Sequence, residues 1–280
     1  MSQLMTPQDY LNLARIDGVR VAYGPERRHF GDVYLPSQGD APAGGWPIAL
    51  LVHGGCWRDQ FGLEPLGQLA AALAEQGVVV WNIEFRRLGG GGGWPTTFLD
   101  VARAADHIPS LRERFPIDPT RAIAVGHSAG GHLVLWLASR FSIPVESELA
   151  SSAPFQFHAA VALAGIPDLS RASDQAICRG APAELVGGAP SEFPARYHAA
   201  SPYERLPLRR RQVHVIGGED ALVPASYVRE CVGRANAVDD DVSLVVVPEA
   251  GHFEIVTAGS VAWPAVERAV LGAIPPSADA

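Results

Sequence analysis

The sequence has no lysine: all 22 of its basic residues are arginine. That absence excludes Schiff-base lysine chemistry and a P-loop lysine. A basic face is missing as well, since the net charge is −8 and residues 209–211 form a basic run of only three. Neutralising a phosphate backbone needs more, so nucleic acid is excluded as a partner. The most apolar stretches, such as residues 47–52, are far shorter than a membrane span, and the opening MSQLMTPQDY carries no apolar signal core. A soluble protein with no membrane partner is expected. Cysteine is scarce too. Cys56, Cys178 and Cys231 are widely spaced and odd in number, which suggests neither a disulfide framework nor a zinc site. A reducing compartment, and so a cytoplasmic location, is the simplest inference. The 29 glycines follow no three-residue period, which excludes collagen, and 48% apolar content excludes a disordered chain.

What is present is an alternation of strand and helix signals. Residues 19–23 and 30–35 have strand character around a Gly24-Pro25 turn, and are expected to pair as an antiparallel edge. Continuous apolar runs at 47–52, 78–83 and 159–164, with shorter ones at 121–125, 212–216 and 243–247, suit strands covered on both faces by helices. Helical spacing fills 66–76, 98–115, 128–139, 225–235 and 261–274. Strands alternating with helices imply parallel pairing and right-handed crossovers, hence a single-domain, three-layer α/β/α sandwich over residues 1–280. Two stretches interrupt the alternation, 141–157 and 168–208; the second is about 40 residues without a clean period and reads as a lid or cap. Residues 275–280 are expected to fray.

The chemistry centres on Gly126-His127-Ser128-Ala129-Gly130, a G-x-S-x-G match between a strand and a helix, the setting that this motif requires. The tight turn needs small neighbours and places Ser128 over the helix N-terminus, whose free N–H groups favour developing negative charge. The plainer alternative is that Ser128 merely caps the helix. A serine nucleophile needs a base, and the base needs an orienting acid. In this topology the chain order is serine, acid, histidine. Of the histidines that follow at a distance, His198 falls in the cap and His214 inside a strand, while His252 follows the last strand at the sheet's carboxyl edge. His252 is therefore the expected base. For the acid, Gly217-Gly218-Glu219-Asp220 follows the preceding strand; Asp220 is preferred over its neighbour Glu219 and over Asp168, which suits a cap. The plainer alternative for Asp220 is a cap for the next helix.

After the 47–52 strand comes His53-Gly54-Gly55-Cys56-Trp57, a turn able to aim backbone N–H groups at an oxyanion without an obstructing side chain. With these motifs the chain resembles the α/β-hydrolase family, and specifically the branch of hormone-sensitive-lipase-like esterases and kynurenine formamidases; H-G-G-x-W is similar to the formamidase version. The resemblance implies a mostly parallel sheet with a cap insertion and a triad of Ser128, Asp220 and His252. It also implies an oxyanion hole from the N–H groups of Gly55, Cys56 and Ala129, and hydrolysis of a small ester or aryl formamide. His53, Gly54, Trp57 and His127 become candidate substrate contacts, with stapling the next helix the equal alternative for Trp57. No cofactor is implied, and His127 and His132 are not at metal-ligand spacing with any acid. Gly89–Gly93 reads as a rim or a plain linker, and Arg86 and Arg87 as anion binders or loop anchors. The rival readings are a small serine exopeptidase on the same triad and a non-catalytic binding protein of the same fold.

Overall fold

The computed structural model describes residues 4–277, so part of the expected frayed tail, 278–280, lies outside the described residues. Eight strands form one sheet: β1 (Val19–Ala22), β2 (Phe30–Tyr34), β3 (Trp46–Val52), β4 (Val79–Ile83), β5 (Ile117–His127), β6 (Ala159–Leu163), β7 (Arg211–Gly217) and β8 (Val242–Val247). Their order is β1-β2-β4-β3-β5-β6-β7-β8. The β1–β2 and β2–β4 pairs are antiparallel and every later pair is parallel. The expected antiparallel edge is thus present, with Val19 opposite Val33.

The helices are α1 (Pro7–Leu11), α2 (Gly67–Ala74), α3 (Thr96–Leu111), α4 (Ala129–Ala138), α5 (Leu169–Asp174), α6 (Ala181–Val186), α7 (Pro194–Ala200), α8 (Ala225–Asn236) and α9 (Trp263–Ala273). Among the described residues no helix is long and apolar enough to cross a membrane. The central strands are covered on both faces, which is why their sequences do not alternate: Ile48, Ala49, Leu50, Leu51 and Val52 in β3 are all fully buried. Each such aliphatic side chain contributes about 1.5–3 kcal/mol on leaving water, so β3 alone anchors the sheet firmly. At the outer edge the alternation returns, with β8 reading intermediate, exposed, intermediate, exposed.

The 168–208 segment is not structureless. It holds α5, α6 and α7, helices of only six or seven residues, with a short 3₁₀ turn (Ile177–Gly180) between the first two and another (Pro202–Arg205) after the third. Fewer than two turns of helix leave no readable period, which is why the sequence reads as irregular there. Residues 141–157 remain largely loop.

Candidate active site

The carboxyl ends of the parallel strands converge on a cavity of about 750 Å³. In an open α/β sheet that edge is where ligands bind. At the end of β5 the chain turns abruptly into α4 through Ser128, at φ 53°, ψ −118°. A non-glycine residue there is strained, and the strain persists because the surroundings fix it. The surroundings are small. A side-chain carbon on Gly126 would lie 2.2 Å from the Gly130 carbonyl oxygen, and one on Gly130 would lie 2.0 Å from the Val52 carbonyl oxygen. Only glycine lets α4 sit this close to β3 and β5. Ser128 is 2% exposed, and its side chain makes no capping hydrogen bond to α4, so the plain cap reading does not hold.

His252 and Asp220 meet in the same place. The His252 Nδ1 lies 2.7 Å from Asp220 Oδ2, and the Asp220 side chain is fully buried. The other carboxylate oxygen accepts from the Leu222 and Val223 N–H groups, each at 2.8 Å. Asp220 therefore closes its own turn and does not cap α8, whose N-cap is Pro224. His252 is held from behind: the Gly251 N–H donates to Glu254 Oε2 at 3.0 Å, and the Phe253 ring packs edge-on against the imidazole. The rejected alternatives lie elsewhere. Asp168 caps α5 by accepting from the Arg171 N–H at 3.1 Å and pairs with Arg234. The His214 Nε2 is 3.2 Å from the Tyr203 hydroxyl, buried in the core, while His198 is exposed on α7.

The turn after β3 presents free donors. Gly55 has φ +107°, and a side-chain carbon there would meet Phe61 at 2.5 Å. Among the described residues the Gly55 and Cys56 N–H groups donate to no protein acceptor. Ala129, first residue of α4, has the orphan N–H of a helix start. His53 supplies the orientation. Burial and the neighbouring Arg87 push its pKa down to about 3, so the ring is neutral. Its Nδ1–H donates to the Gly54 carbonyl at 2.8 Å, leaving Nε2 to accept from Arg87 Nη1 at 3.1 Å. In a planar trans peptide the N–H opposes the C=O, so pinning the Gly54 carbonyl turns the Gly55 N–H the other way.

The four candidate substrate contacts divide. Gly54 and His127 line the cavity, but His53 and Trp57 do not. Trp57 is fully buried with its ring edge-to-face with His132, so it serves as a core staple. Nor do Arg86, Arg87 or Gly89–Gly93 reach the cavity. Arg86 is bidentate to Asp100, and Arg87 is buried against Glu84 and the Phe85 carbonyl. The Gly90 and Gly92 N–H groups both donate to the Arg87 carbonyl at 2.9 Å, making the glycine run a packed turn.

Two contributors were missed by the sequence reading. The first is α1, which brings Pro7 and Tyr10 to the cavity, Tyr10 stacked on Phe253 at 5.0 Å. Its signal was available in Thr6 and Asp9, which form a capping box with Pro at the helix start. The second corrects the cysteine reading: Cys56 and Cys178 form a disulfide, with Cα atoms 5.6 Å apart, and both line the cavity. Partners 122 residues apart leave no local pattern to detect. Only Cys231 is a free thiol, buried in α8. The inference of a reducing compartment from unpaired cysteines loses its basis. Of the expected cap, residues 175–179 line the cavity and 141–157 contribute nothing to it.

Comparison with known proteins bears on the fold and on the family. Three solved structures illustrate the likeness of fold. A truncated carbohydrate esterase from gut microbiota superposes with a TM-score of 0.74 at 19% identity, covering 91% of this chain and 95% of that one. The propionate-bound form of a thermophilic esterase from Thermogutta terrifontis gives 0.69 at 20% identity, covering 92% and 96%. Esterase B from Lactobacillus rhamnosis, with a bound inhibitor, gives 0.74 at 16% identity, covering 95% and 88%. No curated protein matches the chain. The model of the BD-FAE family matches residues 31–230, which include Ser128 and Asp220 but stop short of His252. The chain is a member of the BD-FAE family, an esterase domain of α/β-hydrolase type.

Proposed function

We propose that the protein is a serine carboxylesterase acting on small esters, with Ser128, His252 and Asp220 as its triad. The observation that carries this reading is the 2.7 Å contact of His252 Nδ1 with a buried Asp220, beside a strained Ser128 in one cavity. Asp220 fixes the imidazole with its proton on Nδ1, which leaves Nε2 to accept the Ser128 proton as the hydroxyl attacks the ester carbonyl. The oxyanion that forms is held by the N–H groups of Gly55, Cys56 and Ala129. His252 then protonates the leaving alcohol, and water, deprotonated by the same histidine, cleaves the acyl-enzyme.

Two features favour an ester over the rival substrates. Trp57, the residue that likened the turn to the formamidase version, faces the core and so supplies no contact to an aryl formamide. No aspartate or glutamate lines the cavity among the described residues, so nothing there would hold the α-amine of a peptide. The binding of propionate by the Thermogutta terrifontis neighbour supports a short acyl group.

The test compares p-nitrophenyl acetate, butyrate and a long-chain ester with an aryl formamide. Short esters should be turned over fastest, and Ser128→Ala should lower kcat by about 10⁴-fold or more while the fold survives. Full activity in that variant would sink the triad. A kcat/KM for the formamide above that for the acetate would replace the ester reading with an amidohydrolase one.

A further inference from the structure

The Cys56–Cys178 disulfide joins the two sides of the cavity at its most sensitive point. On one side stands the turn after β3, where Gly55, Cys56 and Trp57 have φ of +107°, +50° and +55°. A left-handed conformation costs a non-glycine residue roughly 1–2 kcal/mol, so Cys56 and Trp57 need restraints beyond the turn's own closing hydrogen bond to hold it. For Trp57 that is complete burial, with its carbonyl accepting from the Leu88 N–H at 2.8 Å. Cys56 is only partly buried and its N–H is free; besides the Arg58 N–H bond to the Gly55 carbonyl at 2.9 Å that closes the turn, what restrains it is the bond from Sγ.

On the other side stands the tip of the cap. Ala176, Cys178 and Arg179 have φ of +53°, +57° and +52°, and Gln175, Ala176 and Arg179 are exposed. The Gln175, Ala176 and Arg179 N–H groups donate to the Arg171, Ser173 and Ala176 carbonyls at 2.9, 3.1 and 3.0 Å, all within the cap and none to the turn after β3. The disulfide is thus the covalent tether of the tip, and it ends on the residue whose N–H faces the reacting carbonyl.

We infer that Cys178 is a positioning residue: through the disulfide it holds the Cys56 peptide in the oxyanion-binding conformation, so that breaking the bond lowers turnover more than substrate binding. The inference rests on the esterase reading above, since it assigns the tether a role in that oxyanion hole. Without the bond only the Arg58 N–H on the Gly55 carbonyl holds Cys56 in the left-handed region, and as the peptide relaxes one donor of the hole is misplaced. Loss of one such donor lowers kcat by about 10²–10³-fold in other hydrolases, so misplacing one should lower it by about 10–100-fold. Because the deficit arises at the tetrahedral stage, it should be similar for acetyl and butyryl esters, with KM within about twofold.

The experiment uses full-length protein in three forms: as purified, after tris(2-carboxyethyl)phosphine, and as Cys178→Ser. The phosphine becomes its oxide with the oxygen of water, while the S–S bond takes up two electrons and two protons to give two thiols. Iodoacetamide labelling of the folded protein, read by mass, counts the thiols; buried Cys231, its thiol pushed up to about 12 by burial, stays unlabelled. The expected result is no label before reduction, two labels after it, and kcat lowered in both the reduced protein and the variant at nearly unchanged KM. Re-oxidation of the reduced protein should restore kcat. A purely structural disulfide would lower the melting temperature and leave kcat of the folded protein intact; that outcome overturns the inference. Two labels on the untreated protein overturn it as well. Should Cys178→Ser fail to fold, the reduced and re-oxidised wild type carries the comparison. A wild type that neither hydrolyses the esters nor reacts with a phosphonate at Ser128 defeats the esterase reading itself. An active wild type with an indifferent variant defeats only the role of the tether.

Discussion

The part of the cavity that carries Ser128, His252 and the Gly54–Cys56 turn stands at the carboxyl ends of β3, β5 and β8, whereas other parts of its lining come from α1 and from residues 175–179. On the sheet side the groups that orient the site are buried and fixed: Asp220 accepts three hydrogen bonds, and the Gly54 carbonyl is pinned by His53. On the cap side the polar residues Gln175 and Arg179 are exposed and the backbone is left-handed over several residues. A rigid sheet positions reacting groups within the tolerance that catalysis needs, while a short-helix insertion can be reshaped without disturbing them. Changes on the sheet side should therefore move kcat, and changes on the cap side should move KM. The Cys178 tether is the exception that joins the two.

The largest effect that sharpens this contrast belongs to Asp220→Asn. The substitution keeps the volume and both backbone hydrogen bonds but removes the charge that holds the Nδ1 proton of His252. The expected loss in kcat is about 10³–10⁴-fold, with the melting temperature nearly unchanged. Steady-state kinetics on p-nitrophenyl acetate would measure it. A loss below tenfold would mean that another group orients His252, adjacent Glu219 being the first to examine.

A second effect separates the walls by pH. His53, His127, His132 and His214 all lie on the sheet side, fully buried, and desolvation pushes each below its ordinary value, His132 and His214 to about 4. The folded state thus binds fewer protons than the unfolded chain at pH below about 6.5. The sign follows: stability is complete above that pH and falls as the pH drops towards 4, by up to about 1.4 kcal/mol per pH unit for each histidine. Urea unfolding at pH 7.5 and pH 5 should therefore differ by several kcal/mol. A flat profile would show that these rings are already protonated in the fold, and with them would go the neutral His53 that orients Gly54.

What could be read in advance follows the same division. Ser128, Asp220 and His252 each come directly after an apolar strand, so their place at the sheet edge was legible from pattern and chain order alone. His53 was legible as a member of the turn but not as the group that orients it, because its partner Arg87 arrives from beyond β4. Trp57 was ambiguous for a physical reason: a large aromatic at the start of an element satisfies a core and a pocket equally well until packing chooses. The cap was opaque because six- and seven-residue helices carry less than two periods, and because a disulfide spanning 122 residues is a tertiary fact. The capping box at Thr6 was the one local signal overlooked.

The smallest expected effect tests whether the disulfide, and not the cap's contacts in general, couples the walls. Arg58, two residues past Cys56, pairs with Glu184 of α6 through two hydrogen bonds of 2.9 and 2.7 Å. It spans the same gap as the disulfide. Yet its side chains are 33% and 51% exposed, so water and salt screen it. An exposed pair of this kind contributes no more than about 0.5 kcal/mol, despite its bidentate geometry. Glu184→Gln should accordingly lower the melting temperature by about 1–2 °C, an effect that fades in 1 M salt, and leave kcat within twofold of the wild type. If Glu184→Gln instead lowered kcat as far as Cys178→Ser, the position of Cys56 would depend on the whole interface between cap and sheet, and the covalent bond would have no special part in it.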